Sequence, residues 1–320
     1  MNSNTKKLII LIAILVFLSV LMSSVCGIST FGFFRNRSIR GGEQTFRIKD
    51  KFSDIKIRTN TSDIFFYRSA DNSAKAVWDG PKNMKLEVRT WNNTLSITEK
   101  YKLPWFLRFG VNFKDTKLSV YLPKDKYDSL ILSSDTGSVR IPDSFRFEKA
   151  DIETDTGGIE FMAKVSRDLK IESDTGSIRA ENISPENLDL KTDTGSISIG
   201  SFAVSKDIRI KTSTGRLQLS SVTCRDLEAK SDTGSISLTN VFAGDEFKAK
   251  SDTGAIRLDR CDAGSLDLES DTGSITGTLL SDKVFLTKSD TGKIIVPETT
   301  TGGICKIETD TGRIEITIAR

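Results

Sequence analysis

The sequence predicts an all-β fold, a single-stranded parallel β-helix (β-solenoid) of 19–20-residue coils preceded by one transmembrane helix. Three observations carry this. A D-T-G tripeptide, written once as S-T-G, recurs in ten copies at a fixed period; apolar and polar residues alternate on both sides of it; and one uncharged apolar run lies near the amino terminus. A repeat of this length marks a solenoid, in which each coil buries its apolar side only by stacking on its neighbours. The two domains that 320 residues would ordinarily suggest therefore give way to one repeat array.

The apolar run is Leu8–Ile28, long enough to span a bilayer core. Lys6 and Lys7 precede it, so residues 1–7 are expected in the cytoplasm and the chain after it on the extracytoplasmic side of a cell membrane. The same stretch also fits a cleaved signal peptide, with the small residues Ser23 and Ser24 near a possible cut, which would make the protein secreted. Residues 29–44 read as a linker, 45–130 as irregular solenoid coils and 131–320 as the regular array.

In the array the corner Asp and Gly are Asp135 and Gly137, Asp155 and Gly157, Asp174 and Gly176, Asp193 and Gly195, Asp232 and Gly234, Asp252 and Gly254, Asp271 and Gly273, Asp290 and Gly292, and Asp310 and Gly312. Ser213 and Gly215 fill the one gap. With the Asp as position zero, position +4 is Val, Ile or Leu in every copy, from Val139 to Ile314, and position −5 is mostly Leu, Ile or Phe. Positions −3 and +6 follow less strictly, giving the period-two pattern of short half-buried strands on each side of a corner. A third apolar pair near +9 and +11 (Phe202 and Val204, Val222 and Cys224, Val241 and Ala243) supplies a third side, as in a parallel β-helix. Cys224, Cys261 and Cys305 fall in these apolar columns, where a thiol behaves as a small hydrophobe.

Upstream, Ile55, Ile57, Thr59, Asn60, Ile64 and Phe66 match positions −5, −3, −1, 0, +4 and +6. Leu86, Val88, Thr90, Trp91, Leu95 and Ile97 match them again, so the solenoid is expected to begin near residue 45. An insertion from Tyr101 to Phe113 carries Trp105, Phe106 and Phe109 among Lys and Arg, and is read as a cap on the open core or a contact for lipid or a partner.

The chain has no histidine, which removes His-based nucleophile relays, the usual zinc sets and the commonest general base. D-T-G also marks the catalytic turn of aspartic proteases, but those need two turns facing each other, whereas a fixed period sets every Asp in one file. The corner is expected to be architecture: Asp or Ser accepts a backbone N–H one or two residues on, and Gly supplies a positive φ. Position −1 is Ser or Thr in all ten copies, an expected inward hydroxyl ladder. No cofactor is expected; Ca2+ between stacked Asp carboxylates is the one metal option, and the repulsion it would relieve is only about 1 kcal/mol per neighbour in water. Ice binding through [ST]-D-T would need the Asp buried, which costs too much.

The net charge of +3 conceals a basic first part and an acidic array, which argues against nucleic acid as a partner. Outward residues at −4 alternate in sign from Asp151 to Asp267, while at −2 Lys191, Lys211, Lys230 and Lys250 form a stripe suited to an anionic polymer. The last strand, Ile314–Ile318, lacks an evident cap, and its coil is a candidate for strand addition by a partner or for self-association.

The run Leu118-Ser119-Val120-Tyr121-Leu122-Pro123, then Leu130 to Val139, then repeated T-G-x-I coils resembles the bacterial β-solenoid family labelled "putative adhesin", over residues 45–320. That resemblance implies no enzyme activity and no catalytic residues. It implies membrane anchoring and association with cell-envelope stress systems. The expected function is a non-enzymatic binding or scaffold module at the cell envelope, whose partner is an envelope protein or an anionic surface polymer. The alternatives are an adhesin for surface polysaccharide or another cell, and a carbohydrate-active β-helix enzyme, which would need grouped acids in an irregular cleft.

Overall fold

A computed structural model of the chain describes residues 42–102, 116–204 and 206–319. The apolar run Leu8–Ile28 and the insertion residues Trp105, Phe106 and Phe109 lie outside the described residues. Within them the fold is all-β, with about 70% of residues in strands, no helix, and about 9 solenoid turns. No helix among them is long and apolar enough to cross a membrane.

The coils stack in the expected register. At position −5, Leu130, Ala150, Leu169, Leu188, Ile208, Leu227, Phe247 and Leu266 are parallel partners in succession. At +4, Val139, Ile159, Ile178, Ile197, Leu217, Ile236, Ile256 and Ile275 do the same. All are buried, so each coil's apolar residues find partners only in the coils above and below, as the period requires. The third side is present too: Val222, Val241 and Cys261 are fully buried at +9. A second corner precedes it at +8, where Asn182, Ser201, Ser221, Asn240 and Arg260 adopt φ of 51–58° in five successive coils. Single residues in this left-handed region turn the chain sharply.

Cys224, Cys261 and Cys305 are buried, unpaired thiols. Burial pushes them up to about 12, 11 and 12 respectively, far from the reactive range.

At both ends, spatial order departs from chain order. Strand Asp54–Thr59 is the innermost of the irregular part, lying between strands Thr94–Tyr101 and Lys126–Thr136 with Ile55 and Ile57 at −5 and −3. Only Leu95 and Ile97 of the second upstream match hold those positions. Leu86, Val88, Thr90 and Trp91 instead belong to strand Met84–Trp91, which pairs antiparallel with Thr94–Tyr101. The two-residue turn Asn92-Asn93 has positive φ at both residues, which is the hairpin turn that strand twist favours. Strand Glu43–Ile48 is also antiparallel, pairing with Ala74–Asp79. The coils proper therefore begin at Asp54, later than residue 45. Trp78 and Met84, both fully buried, close the apolar core at this end.

At the far end, strand Gly303–Thr309 inserts between Ile256–Ser270 and Lys283–Ser289. Strand Ile314–Ile318 likewise sits between Ile275–Leu279 and Ile294–Ile295. The outermost coil is thus residues 283–296. The expectation that Ile314–Ile318 forms the open edge is corrected in part: Ile314 and Glu315 are paired on both sides, and Ile316–Ile318 on one side only.

Candidate functional site

The D-T-G corner is built from hydroxyls and glycines, with the carboxylates outside. Position −1 points inward, and Ser134, Thr154, Ser173, Thr192, Thr212, Ser231, Ser251, Ser270 and Thr309 are buried. From Thr192 onward each hydroxyl donates to the corner-glycine carbonyl of the adjacent coil: Thr192 to Gly176 at 2.9 Å, Thr212 to Gly195 at 3.0 Å and Ser231 to Gly215 at 3.1 Å. Thr309 donates to Gly273 and Ser289 to Gly312, following the spatial order. From Gly137 to Gly215 the glycine N–H groups bond to the next coil's Thr carbonyl, as in Gly215 to Thr233 at 2.9 Å. A Cβ at any corner glycine from Gly157 onward would collide with the neighbouring glycine's carbonyl, and at Gly137 with that of Ser62. Close stacking, as much as the positive φ of 144–156° at five of them, is why the position is glycine.

The corner aspartates do not open the turn as expected. None of their carboxylates accepts a backbone N–H of its own corner among the described residues. The turn bond is made by the −1 hydroxyl where one exists, as in Gly273 N–H to Ser270 Oγ at 2.9 Å. Asp135, Asp155, Asp174, Asp193, Asp271, Asp290 and Asp310 are exposed, and Asp232, Asp252 and Ser213 half-buried. They form one file, and none faces a second D-T-G across a cleft.

Sequence reasoning missed Glu99. Its carboxylate is buried where the hydroxyl ladder ends, one step beyond Thr59. It accepts from Asn60 N–H (2.7 Å), Thr61 N–H (3.0 Å), Ser62 Oγ (2.8 Å) and Trp78 Nε1 (3.0 Å). All four donors are used to close the first corner, so this carboxylate is a structural cap. Its signal in the sequence is only that an acid occupies the −1 column of Ile57 and Ile97.

Outward charges fall into columns. At −4 the order Asp151, Lys170, Asp189, Arg209, Glu228, Lys248, Asp267 continues into Lys306, so the sign alternates across eight stacked strands. Beside it runs a groove of about 490 Å³ lined by Asp168, Asp189, Asp207, Arg209, Asp226 and Glu246, among others. Most of its charges are paired: Lys149 with Asp168 (3.0 Å), Arg209 with Glu228 (3.1 Å), Arg225 with Asp207 and Asp226 (2.5 and 2.9 Å), and Lys248 with Glu246 (2.8 Å). Burial raises the Asp189 carboxyl above the ordinary carboxylate range, against the pull of Arg209.

At −2, Lys191, Lys211, Lys230 and Lys250 are direct neighbours, bounded by Glu172 on one side and by Glu269 and then Glu308 on the other. Lys191 pairs with Asp193 (3.6 Å), Lys230 with Asp232 (3.7 Å) and Lys250 with Glu269 (2.7 Å). Among the described residues no group of three or more His, Cys, Asp or Glu is placed to hold a metal ion.

The outermost coil, residues 283–296, has a different surface. Its strands Lys283–Ser289 and Ile294–Ile295 each pair on one side only. Leu286, Ile294 and Ile295 are exposed, as is Ile304 on the strand beneath, and Phe285 and Val296 are only partly buried.

A family model described as Toastrack DUF4097 matches residues 52–209 and 203–320. No curated protein matches the chain. Among solved structures, a putative adhesin from Parabacteroides merdae is 14% identical over 74% of this chain and 96% of its own, with a TM-score of 0.49. A putative adhesin from Parabacteroides distasonis is 13% identical over 84% and 97%, with a TM-score of 0.47. A putative lipid binding protein from the same species is 16% identical over 74% and 97%, with a TM-score of 0.41.

Proposed function

The chain belongs to the Toastrack DUF4097 family, and from that premise we propose that it is a non-enzymatic binding or scaffold module of the cell envelope. In this reading Leu8–Ile28 anchors it in a membrane and the solenoid projects on the extracytoplasmic side. The outermost coil receives an extended strand from an envelope protein. The observation that carries the reading is the unpaired edge of residues 283–296, where Leu286 is 54% exposed beside Ile294 and Ile295. An unprotected apolar edge is a template for strand addition: main-chain hydrogen bonds give affinity, and pockets for alternate side chains give specificity. An enzyme is disfavoured by the acids that line the coils, which stand in file or in ion pairs and leave no pair of free carboxylates facing one another across a cleft.

The test is crosslinking of tagged full-length protein in its native cells, with parent compared to a Leu286→Lys/Ile295→Lys variant. Both positions are exposed, so the substitutions should leave the melting temperature unchanged while placing charge on the edge. A stoichiometric envelope protein, crosslinked within residues 283–296 and lost in the variant, is the expected result. Capture that is the same in parent and variant would sink the reading.

A further inference from the structure

We propose that the corner around Ser213 is a binding site for a narrow, linear polyanion, distinct from the outermost coil and independent of what binds there. Wherever a Lys stands at −2 elsewhere in the array, an acid stands at position zero of the same corner, two residues on. That acid pairs with its Lys at 3.6 Å for Lys191, 3.7 Å for Lys230 and 3.8 Å for Lys288. The corner of Lys211 is the exception, because Ser213 replaces the Asp. Lys211 is exposed and makes no ion pair among the described residues.

The same corner carries a second departure. Position +3 is Ser in the coils on either side, Ser196 and Ser235, but Arg216 here. Arg216 is exposed and its guanidinium has no partner among the described residues. From −2 to +3 this corner therefore holds two cations and no anion, whereas the adjacent corners Lys191–Ser196 and Lys230–Ser235 each hold one of each. The first acids on the −2 column are Glu172, beyond Lys191 on one side, and Glu269, beyond Lys230 and Lys250 on the other. This corner thus holds two cations that make no ion pair among the described residues and has no acid of its own to match them.

The surroundings fix the shape of the ligand. Across the coil the corner file with Asp193 and Asp232 lies on one side of the lysines, and the −4 column of alternating sign, Asp189, Arg209, Glu228 and Lys248, on the other. A duplex nucleic acid or a flat anionic bilayer would press its charge against the corner-file acids and the acids of the −4 column. A single strand lying along the −2 column would meet Lys191, Lys211, Lys230 and Lys250, and at Lys211 it could reach Arg216 across a corner that holds Ser213 in place of an acid. Acidic groups repeating at roughly the strand spacing of 4.8 Å would match these lysines one to one. The pairs that Lys191 and Lys230 now make are long and solvent-exposed, so they are readily exchanged for a ligand. The chemistry is that of an acidic glycan or polyol chain carrying carboxylates or phosphates.

The experiment uses detergent-solubilised full chain and measures binding of fluorescent tetra-galacturonate and of a tetrameric glycerol phosphate by anisotropy. Ser213→Asp/Arg216→Ser rebuilds the corner found in the neighbouring coils and should keep its fold; Lys211→Ser is the second variant. The parent should bind at least one tetramer, with affinity falling at least about tenfold between ~50 and ~200 mM salt. Each variant should lose at least about tenfold, the cost of a charge-assisted contact, with its thermal midpoint unchanged. Preference for one tetramer identifies carboxylate or phosphate as the ligand group. Variants that bind as the parent does, a parent that binds neither tetramer, or tighter binding to duplex DNA or to phosphatidylglycerol vesicles would each overturn the proposal.

Discussion

Replacing Gly215 by Ala probes whether close stacking at the corner holds the coils together. The added Cβ would lie 1.9 Å from the Gly195 carbonyl oxygen, against a limit of 3.0 Å that real Cβ atoms essentially never cross, and Gly215 has φ of +156°. The obstruction is backbone in a stacked sheet, not a side chain that can swing away. Relief requires the two corners to separate, which strains Gly195 N–H to Thr214 (2.9 Å), Gly215 N–H to Thr233 (2.9 Å) and Thr212 Oγ1 to Gly195 (3.0 Å). Three hydrogen bonds at about 1 kcal/mol each, with about 1 kcal/mol of backbone strain, give a loss of about 4 kcal/mol. Gly200→Ala is the control, because its Cβ would first meet Ser220 Oγ at 3.4 Å, in ordinary contact range; it should change stability by less than about 1 kcal/mol. Hydrogen exchange of the full chain in detergent is the assay, since a solenoid loosens coil by coil and the loss should centre on residues 193–217. A Gly215→Ala protein as protected there as the Gly200→Ala protein would refute the stacking account.

Three further outcomes follow from the same geometry. Thr212→Val keeps the shape but removes the donor to Gly195, so it should cost about 1–3 kcal/mol in urea unfolding, while Thr212→Ser, the residue found at −1 in six of the ten copies, should cost about 1 kcal/mol or less. Glu99→Gln places an amide N–H2 among four donors and should cost about 2–4 kcal/mol, seen as a lower urea midpoint and faster exchange at Asn60 and Thr61. The three buried thiols have folded values of about 11–12 against an ordinary 9. Raised values favour the protonated form, so their contribution to stability is intact below pH about 9 and lost as pH rises through about 11–12. Native protein should accordingly resist iodoacetamide at Cys224, Cys261 and Cys305 at pH 8 and react at all three once unfolded in urea.

The columns were readable because each coil places the same residue types at the same offsets: Leu130 to Leu266 at −5, Val139 to Ile275 at +4, and the inward Ser or Thr at −1. The order of the coils was not. When every coil presents the same columns, any coil can stack on any other, so the period defines faces without defining neighbours. One trace of the true order is present. Along −4 the alternation after Asp267 is broken by Leu286, the next copy in the chain, and continued by Lys306, the copy after it; the structure stacks Asp267 on Lys306. The corner at +8 escaped because Asn182, Ser201, Ser221, Asn240 and Arg260 share a backbone conformation but no single residue type or Gly to mark it. Glu99 escaped because a hairpin, rather than a D-T-G coil, delivers it to the ladder. The cationic corner was half legible: Ser213 stood out as the missing acid and Lys211 as part of a stripe, but their connection rests on the pairing distances of Lys191 and Lys230.

The reversed order at the ends has a mechanical consequence. If the coils stacked in chain order, the exposed edge would be a free terminal strand, able to fray at little cost. Here the outermost coil is an internal segment, entered from Leu279 and left through Gly303, and both flanking segments are locked inside the stack. Strand Gly303–Thr309 pairs on both sides, as do Ile314 and Glu315, so detaching residues 283–296 means opening a closed loop whose ends stay fixed. The loop retains little conformational freedom when it detaches, so the entropy gained is smaller than for a free end. An edge held this way keeps its backbone groups and Leu286 in place for an incoming strand, which lowers the ordering cost of association. At the opposite end the antiparallel hairpin, Trp78, Met84 and Glu99 close the core. The two ends are therefore unlike by construction, one sealed and one held open.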